Sequence, residues 1–173
     1  EILIARQVIS PDPTIRASAV RASEALPLVR RYQSLRPILG DKNRSVVTEL
    51  AAALAGVPLG QIPRDDALAL KEIFLQYLEI QRQDLDLPSV QARLGSFYRA
   101  RGDLEAAEAS YQAAMAIDPL TVGAYLNLAD LKRVQGNEQR ARSVLLEGLT
   151  LMPSQPSLRH ALGLLEVRAG DYE

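Results

Sequence analysis

The chain has 173 residues, with 20 basic and 21 acidic side chains, a net charge of −1, one His and no Cys or Trp. No global field favours nucleic acid or an anionic membrane, and the missing cysteine excludes disulfides, thiolate metal sites, thiol catalysis and covalent haem attachment within it. Aromatics at 5% beside abundant Ala and Leu suit close-packed helices better than sheets. Residues 1–63 carry 8 basic and 5 acidic groups and residues 64–173 carry 12 and 16, neither being the footprint of a DNA-binding surface. No apolar run approaches the ~18 residues of a bilayer span, and no signal peptide is present, so membrane insertion is not expected.

In chain order, Ile2, Leu3, Ile4 and Val8 read as the end of a helix whose partners lie upstream. Ser10-Pro11-Asp12-Pro13 is a helix start, with Asp12 as N-cap and Pro13 as first helical residue. Ile15, Ala19, Ala22 and Leu26 then recur at helical spacing, Val29 to Leu39 is a further candidate helix, and Val46, Val47, Leu50, Ala53 and Leu54 mark another. Two prolines and two glycines between Gly56 and Pro63 forbid a regular helix, which places a subdomain boundary there. From Arg64 to Gln83 one long helix is expected, with Leu68, Ile73, Phe74, Tyr77 and Ile80 on its apolar side. It would join the two parts of the chain and cover the open end of the later one.

From Pro88 the sequence repeats at 34 residues. Leu94 falls on Leu128 and Leu162, Gly95 on Ala129 and Gly163, and Gly102 on Gly136 and Gly170. Ala107 meets Ala141, Tyr111 meets Leu145, Ala114 meets Gly148, and Pro119 meets Pro153. Each period holds two helical stretches divided by a glycine that can turn left-handed and a small polar residue (Asp103, Asn137, Asp171) that can cap the next helix. Such units bury their core by stacking on neighbours. Gly95 and Ala107 are expected at a helix crossing, with Tyr98 and Tyr111 filling the space around them.

This pattern resembles the tetratricopeptide repeat, through Leu94-Gly95, Tyr98, Ala107, Tyr111, Ala114 and Pro119 and their second-unit counterparts Tyr125, Leu128-Ala129, Ala141, Leu145, Gly148 and Pro153. The second unit departs at Lys132, where the family usually has tyrosine. Asp12-Pro13-Thr14-Ile15-Arg16 followed by Ala19 and Leu26 is similar to the second helix of a HEAT repeat, and Asp41 through Leu54 resembles another copy about two residues out of register, with Val47 where the arginine should stand. A generic cap of three or four helices is the alternative for this part. The resemblances imply an all-α protein, a right-handed α-solenoid. Its parts are a HEAT-like segment (1–55), a Pro/Gly linker (56–63), a linking helix (64–87) and tetratricopeptide units at 88–121, 122–155 and 156–173, the last truncated.

Catalysis has few candidates. His160 is the only histidine, so neither a His-based triad nor a two-His metal site can form, and no phosphate-cradling glycine loop is present. Asp84 and Asp86 read as capping or solvated charge rather than an acid–base pair. No enzyme activity, cofactor or metal is expected in this segment. Tetratricopeptide arrays commonly hold a peptide or partner helix against the first helices of their units. Carried over, that groove would present Ala92, Ser96 and Arg99, then Leu126, Asn127, Asp130 and Arg133, then His160, Leu164 and Arg168. Arginines over an apolar floor suit a short, partly acidic peptide, and Asn127 could bond its backbone through both donor and acceptor. The family's clamp for chaperone C-terminal carboxylates is excluded, because its basic and asparagine places hold Ala92, Ser96, Ser157 and Ala161, and only Asn127 fits. Lys132 and Glu166, equivalent in adjacent units, are an expected ion pair.

The implied function is a non-catalytic protein–protein interaction scaffold within a larger protein, with a structural spacer or self-association module as the alternative. The order of HEAT-like helices, break, long helix and repeats also resembles the C-terminal tail of bacterial multihaem cytochromes c. That resemblance implies an accessory tail of an exported protein with haem bound elsewhere, whereas without it a cytoplasmic setting is expected. The chain starts at Glu1 and stops one residue past Tyr172, so Leu158, Leu162 and Leu165 are expected to lie uncovered and able to pair two copies end to end.

Overall fold

The computed structural model describes residues 2–170, apart from the side chains of 2, 3 and 169, as ten α-helices with no strand among them. Asp171 and Tyr172 lie outside the described residues. The chain divides into two compact units, Glu1–Gln83 and Asp84–Glu173. The Gly56–Pro63 break does not part them, because the helix after it packs back on the first unit.

The first unit is built round α4 (Arg44–Leu54), flanked by α2 (Pro13–Ala22), α3 (Leu28–Leu35) and α5 (Arg64–Arg82); α1 (Ile2–Gln7) packs on α2. Val46, Val47, Leu50, Ala51, Ala53 and Leu54 are all buried and form one broad apolar face, while Arg44, Ser45 and Ala52 on the other side are exposed. As expected, Asp12 caps α2 by accepting from the Thr14 N–H at 2.8 Å, with Pro13 opening the helix. The inner face of α2 differs from expectation. Ala17, Ala19 and Val20 are buried whereas Ile15 and Ala22 are exposed, because the inward stripe is centred on Arg16 and Val20. The helix also ends at Ala22 and tightens into a 3₁₀ turn over Ser23–Ala25, so Leu26 leaves the stripe.

Arg16 explains that rotation. Its Nε donates to Asp41 at 2.6 Å and its Nη1 to the Ser10 and Pro11 carbonyls at 2.8 and 3.0 Å. Asn43 caps α4 by accepting from the Ser45 N–H at 3.0 Å, leaving Asp41 in the preceding turn to receive Arg16.

On α5 the buried stripe is Leu70, Ile73, Phe74, Tyr77 and Gln81. Leu68 is 55% exposed, since it stands two residues from Leu70 and so on the far side of the helix. The helix ends at Arg82, within one residue of the expected end at Gln83, and residues 83–87 form turns. Near its start the Tyr32 hydroxyl donates to Asp66, and Arg36 Nε reaches the same carboxylate at 2.6 Å. The bond from Tyr32 and the charge of Arg36 hold the Asp66 carboxyl below the usual carboxylate range.

The second unit is a run of helix hairpins: α6 (Pro88–Arg101), α7 (Leu104–Ile117), α8 (Val122–Val134), α9 (Glu138–Leu151) and α10 (Pro156–Ala169). Each packs chiefly on its chain neighbours, and the alternate helices α6, α8 and α10 also touch in sequence. Gly102 and Gly136 adopt φ of 82° and 75°. At the first of these turns Gly102 N–H bonds to Arg99 O and Asp103 N–H to Tyr98 O, the paired closure that a left-handed residue permits. Asp103 and Asn137 then cap α7 and α9 by accepting from Ala106 and Arg140 N–H at 3.1 and 3.0 Å.

Gly95 is required at the α6–α7 crossing. A Cβ placed there would stand 2.4 Å from Tyr111 Cε1, in the ring of a fully buried tyrosine. Tyr111, Tyr125, Leu128, Leu131, Val144, Leu145, Leu158 and Leu165 then run as one apolar core along the stack.

Two expectations fail in this unit. Leu158 and Leu165 are buried in that core and Leu162 is half-buried, so the uncovered apolar end does not exist as described; Leu164 and Val167 are the exposed apolar side chains of α10. Lys132 does not pair with Glu166. It reaches back to Glu108 on α7 at 2.5 Å, while Glu166 accepts from Arg142 on α9 at 3.3 Å, because each of the two faces the second helix of the preceding unit. With Lys132 only 13% exposed, a double-mutant cycle of Lys132→Met and Glu108→Gln, read by urea unfolding, is expected to show coupling of about 1 kcal/mol.

Candidate groove site

The helical period sets the site. Leu126, Asp130 and Arg133 recur on α8, and Ala161, Leu165 and Arg168 on α10, each at i, i+4 and i+7. These stripes, with Leu164, border a concavity of ~130 Å³ whose remaining lining is Ala129 of α8 and Ala141 and Leu145 of α9.

Charge is concentrated at its rim. Asp130 Oδ1 accepts from Arg133 Nη2 at 2.6 Å and Nε at 3.1 Å, and Asp130 Oδ2 accepts from Arg99 Nη1 of α6 at 2.8 Å. The carboxylate therefore holds two guanidinium groups and fixes where Arg133 stands. Arg168 makes no ion pair among the described residues.

The ten expected groove residues separate accordingly. Leu126, Asp130, Arg133, Leu164 and Arg168 line the concavity, and Arg99 is bonded to its rim through Asp130. Ala92, Ser96, Asn127 and His160 do not line it. The Ser96 hydroxyl is engaged elsewhere, donating to Ala92 O at 3.1 Å and accepting from the Tyr111 hydroxyl at 3.3 Å. The residues that sequence reasoning missed are the small and aliphatic ones, Ala129, Ala141, Leu145, Ala161 and Leu165. A signal for them exists in the repeat register, where Leu145 takes the place of Tyr111.

A second, more open concavity of ~510 Å³ lies between α7 and α9, with Tyr125, Leu128, Met115 and Val144 as its apolar lining and Arg140 and Glu147 beside them. Burial, then the Glu147 and Asp118 carboxylates, push the Tyr125 phenol upward, so it stays protonated. Among the described residues no His, Asp and Glu side chains cluster so as to hold a metal ion, and no helix is long and apolar enough to cross a membrane.

Residues 88–119, which are α6, the glycine turn and α7, match the tetratricopeptide repeat family. No curated protein matches the chain. Repeats of this family are protein-interaction units, and an all-α repeat fold is what the helices form.

Proposed function

We propose that this tetratricopeptide-repeat chain is a non-catalytic scaffold whose groove between α8 and α10 takes a peptide or partner helix. The observation that carries the reading is the concavity itself. Two first helices present matching i, i+4, i+7 stripes round an apolar floor, with Arg168 at the rim making no ion pair among the described residues. Arg99, Arg133 and Arg168 against the single Asp130 favour an acidic segment over a basic one. Binding of this kind needs no cofactor, and a net charge of −1 gives no overall attraction for nucleic acid. For the first unit we infer a two-copy helical repeat of HEAT-like type, supported by the Arg16–Asp41 bond that ties one copy to the next.

The test is selection of binders from a displayed random-peptide library on the full chain, followed by calorimetric titration. Selected peptides are expected to be enriched in Asp and Glu, and Arg168→Glu is expected to weaken them at least about tenfold. Peptides without acidic enrichment that bind Arg133→Glu and Arg168→Glu as tightly as the unaltered chain would place binding elsewhere.

A further inference from the structure

We propose that the α8–α10 concavity is a socket for one aliphatic side chain flanked by carboxylates, opened by the exchange of tyrosine for leucine between consecutive repeats. The proposal rests on the groove reading above and names what the groove selects.

In the first repeat the Tyr111 ring packs against Gly95 and its hydroxyl ends on Ser96 Oγ at 3.3 Å. The ring thus fills the crossing from the core out to the face that carries Ser96. A shift of 34 residues puts Ala129 at Gly95, Asp130 at Ser96 and Leu145 at Tyr111. Leucine has no ring and no hydroxyl, so it stops short of Asp130, which bonds to Arg99 and Arg133 instead. Ala129 and Leu145 both line the resulting ~130 Å³ space, and the facing Ala161 is too small to fill it.

Size and charge then define the occupant. An aliphatic cavity of about 150 Å³ holds a benzene molecule, so this one has room for a single Leu, Ile or Met side chain. The rim adds Arg133, already positioned by Asp130, and Arg168. A carboxylate on either side of the inserted residue meets a guanidinium, and a lysine there would be repelled.

The probe is an acetylated, amidated Glu-Leu-Glu tripeptide, titrated into the methyl-labelled full chain and followed by NMR. The Leu145 and Leu165 methyl resonances are expected to shift to saturation, with Glu-Ala-Glu and Lys-Leu-Lys each binding at least about tenfold more weakly. The double variant A129G/L145Y rebuilds the first repeat's own pairing and plugs the socket, so Glu-Leu-Glu binding is lost while helix content is kept. Should that variant fail to fold, Ala161→Leu fills the same space from α10 and is expected to abolish the shifts. Equal binding of Glu-Ala-Glu, full binding to a folded plugged variant, or no shift by about 10 mM probe each overturns the socket. A library-selected groove peptide that binds plugged and unplugged chains alike removes the socket and leaves the groove reading standing. Failure of every library peptide to bind removes the groove reading itself.

Discussion

Gly95→Ala is expected to destabilise the second unit by about 2 kcal/mol, the middle of the range for forcing extra volume into a packed core. The added methyl would sit inside the van der Waals shell of three Tyr111 ring atoms, at 2.4, 2.5 and 2.9 Å. The ring cannot retreat cheaply. It is fully buried, and its hydroxyl is tied to Ser96. Tyr111→Leu alone should also cost about 2 kcal/mol or more, through lost burial and the void left behind. Together the two changes reproduce the Ala129–Leu145 pairing that the second repeat already uses, so the double variant should be more stable than the sum of the singles by at least about 1 kcal/mol. Urea unfolding followed by helix ellipticity measures all three. Strict additivity would mean that the two positions do not share the crossing.

Asp41→Ala is expected to cost the first unit about 3 kcal/mol. Asp41 is 9% and Arg16 16% exposed, so removing the carboxylate leaves a guanidinium largely out of water with only the Ser10 and Pro11 carbonyls to face. Breaking one side of a buried pair is costly for that reason. Asp41→Asn, which keeps an acceptor and loses the charge, should fall between. The comparison is Glu49→Ala, whose partner Arg21 is 54% exposed and whose loss should cost no more than about 1 kcal/mol. Equal effects of Asp41→Ala and Glu49→Ala would show that Arg16 does not hold α2 to the turn before α4.

How much of the fold could be read from residues alone depends on the range of each signal. Caps and stops are local: Asp12, Asp103 and Asn137 accept from N–H groups within three residues, and Gly102 turns left-handed within its own turn. The 34-residue register supplied the crossing, since Gly95 and Tyr111 had to meet wherever the unit folded. The family match covers only residues 88–119, so the HEAT-like and multihaem resemblances have no counterpart in it.

Rotational phase was harder to read. Ile15 and Leu68 are apolar and helical, yet both face outward, because an arginine or a shifted stripe set the inner face. Pairing between helices was harder still. Lys132 and Glu166 matched in register, but register does not say that each faces the second helix of the preceding unit. The groove shows the same division. Its charged rim was legible as a first-helix stripe, whereas its floor depends on a side chain that ends too soon, and a shortfall of volume leaves no mark in a pattern of polar and apolar positions.

The most direct test of the scaffold reading is a crystal structure of the full chain bound to a library-selected peptide. The peptide is expected between α8 and α10, with an acidic side chain at Arg168 and an aliphatic one over Leu145. A peptide seated instead between α7 and α9, or on the first unit, would contradict it.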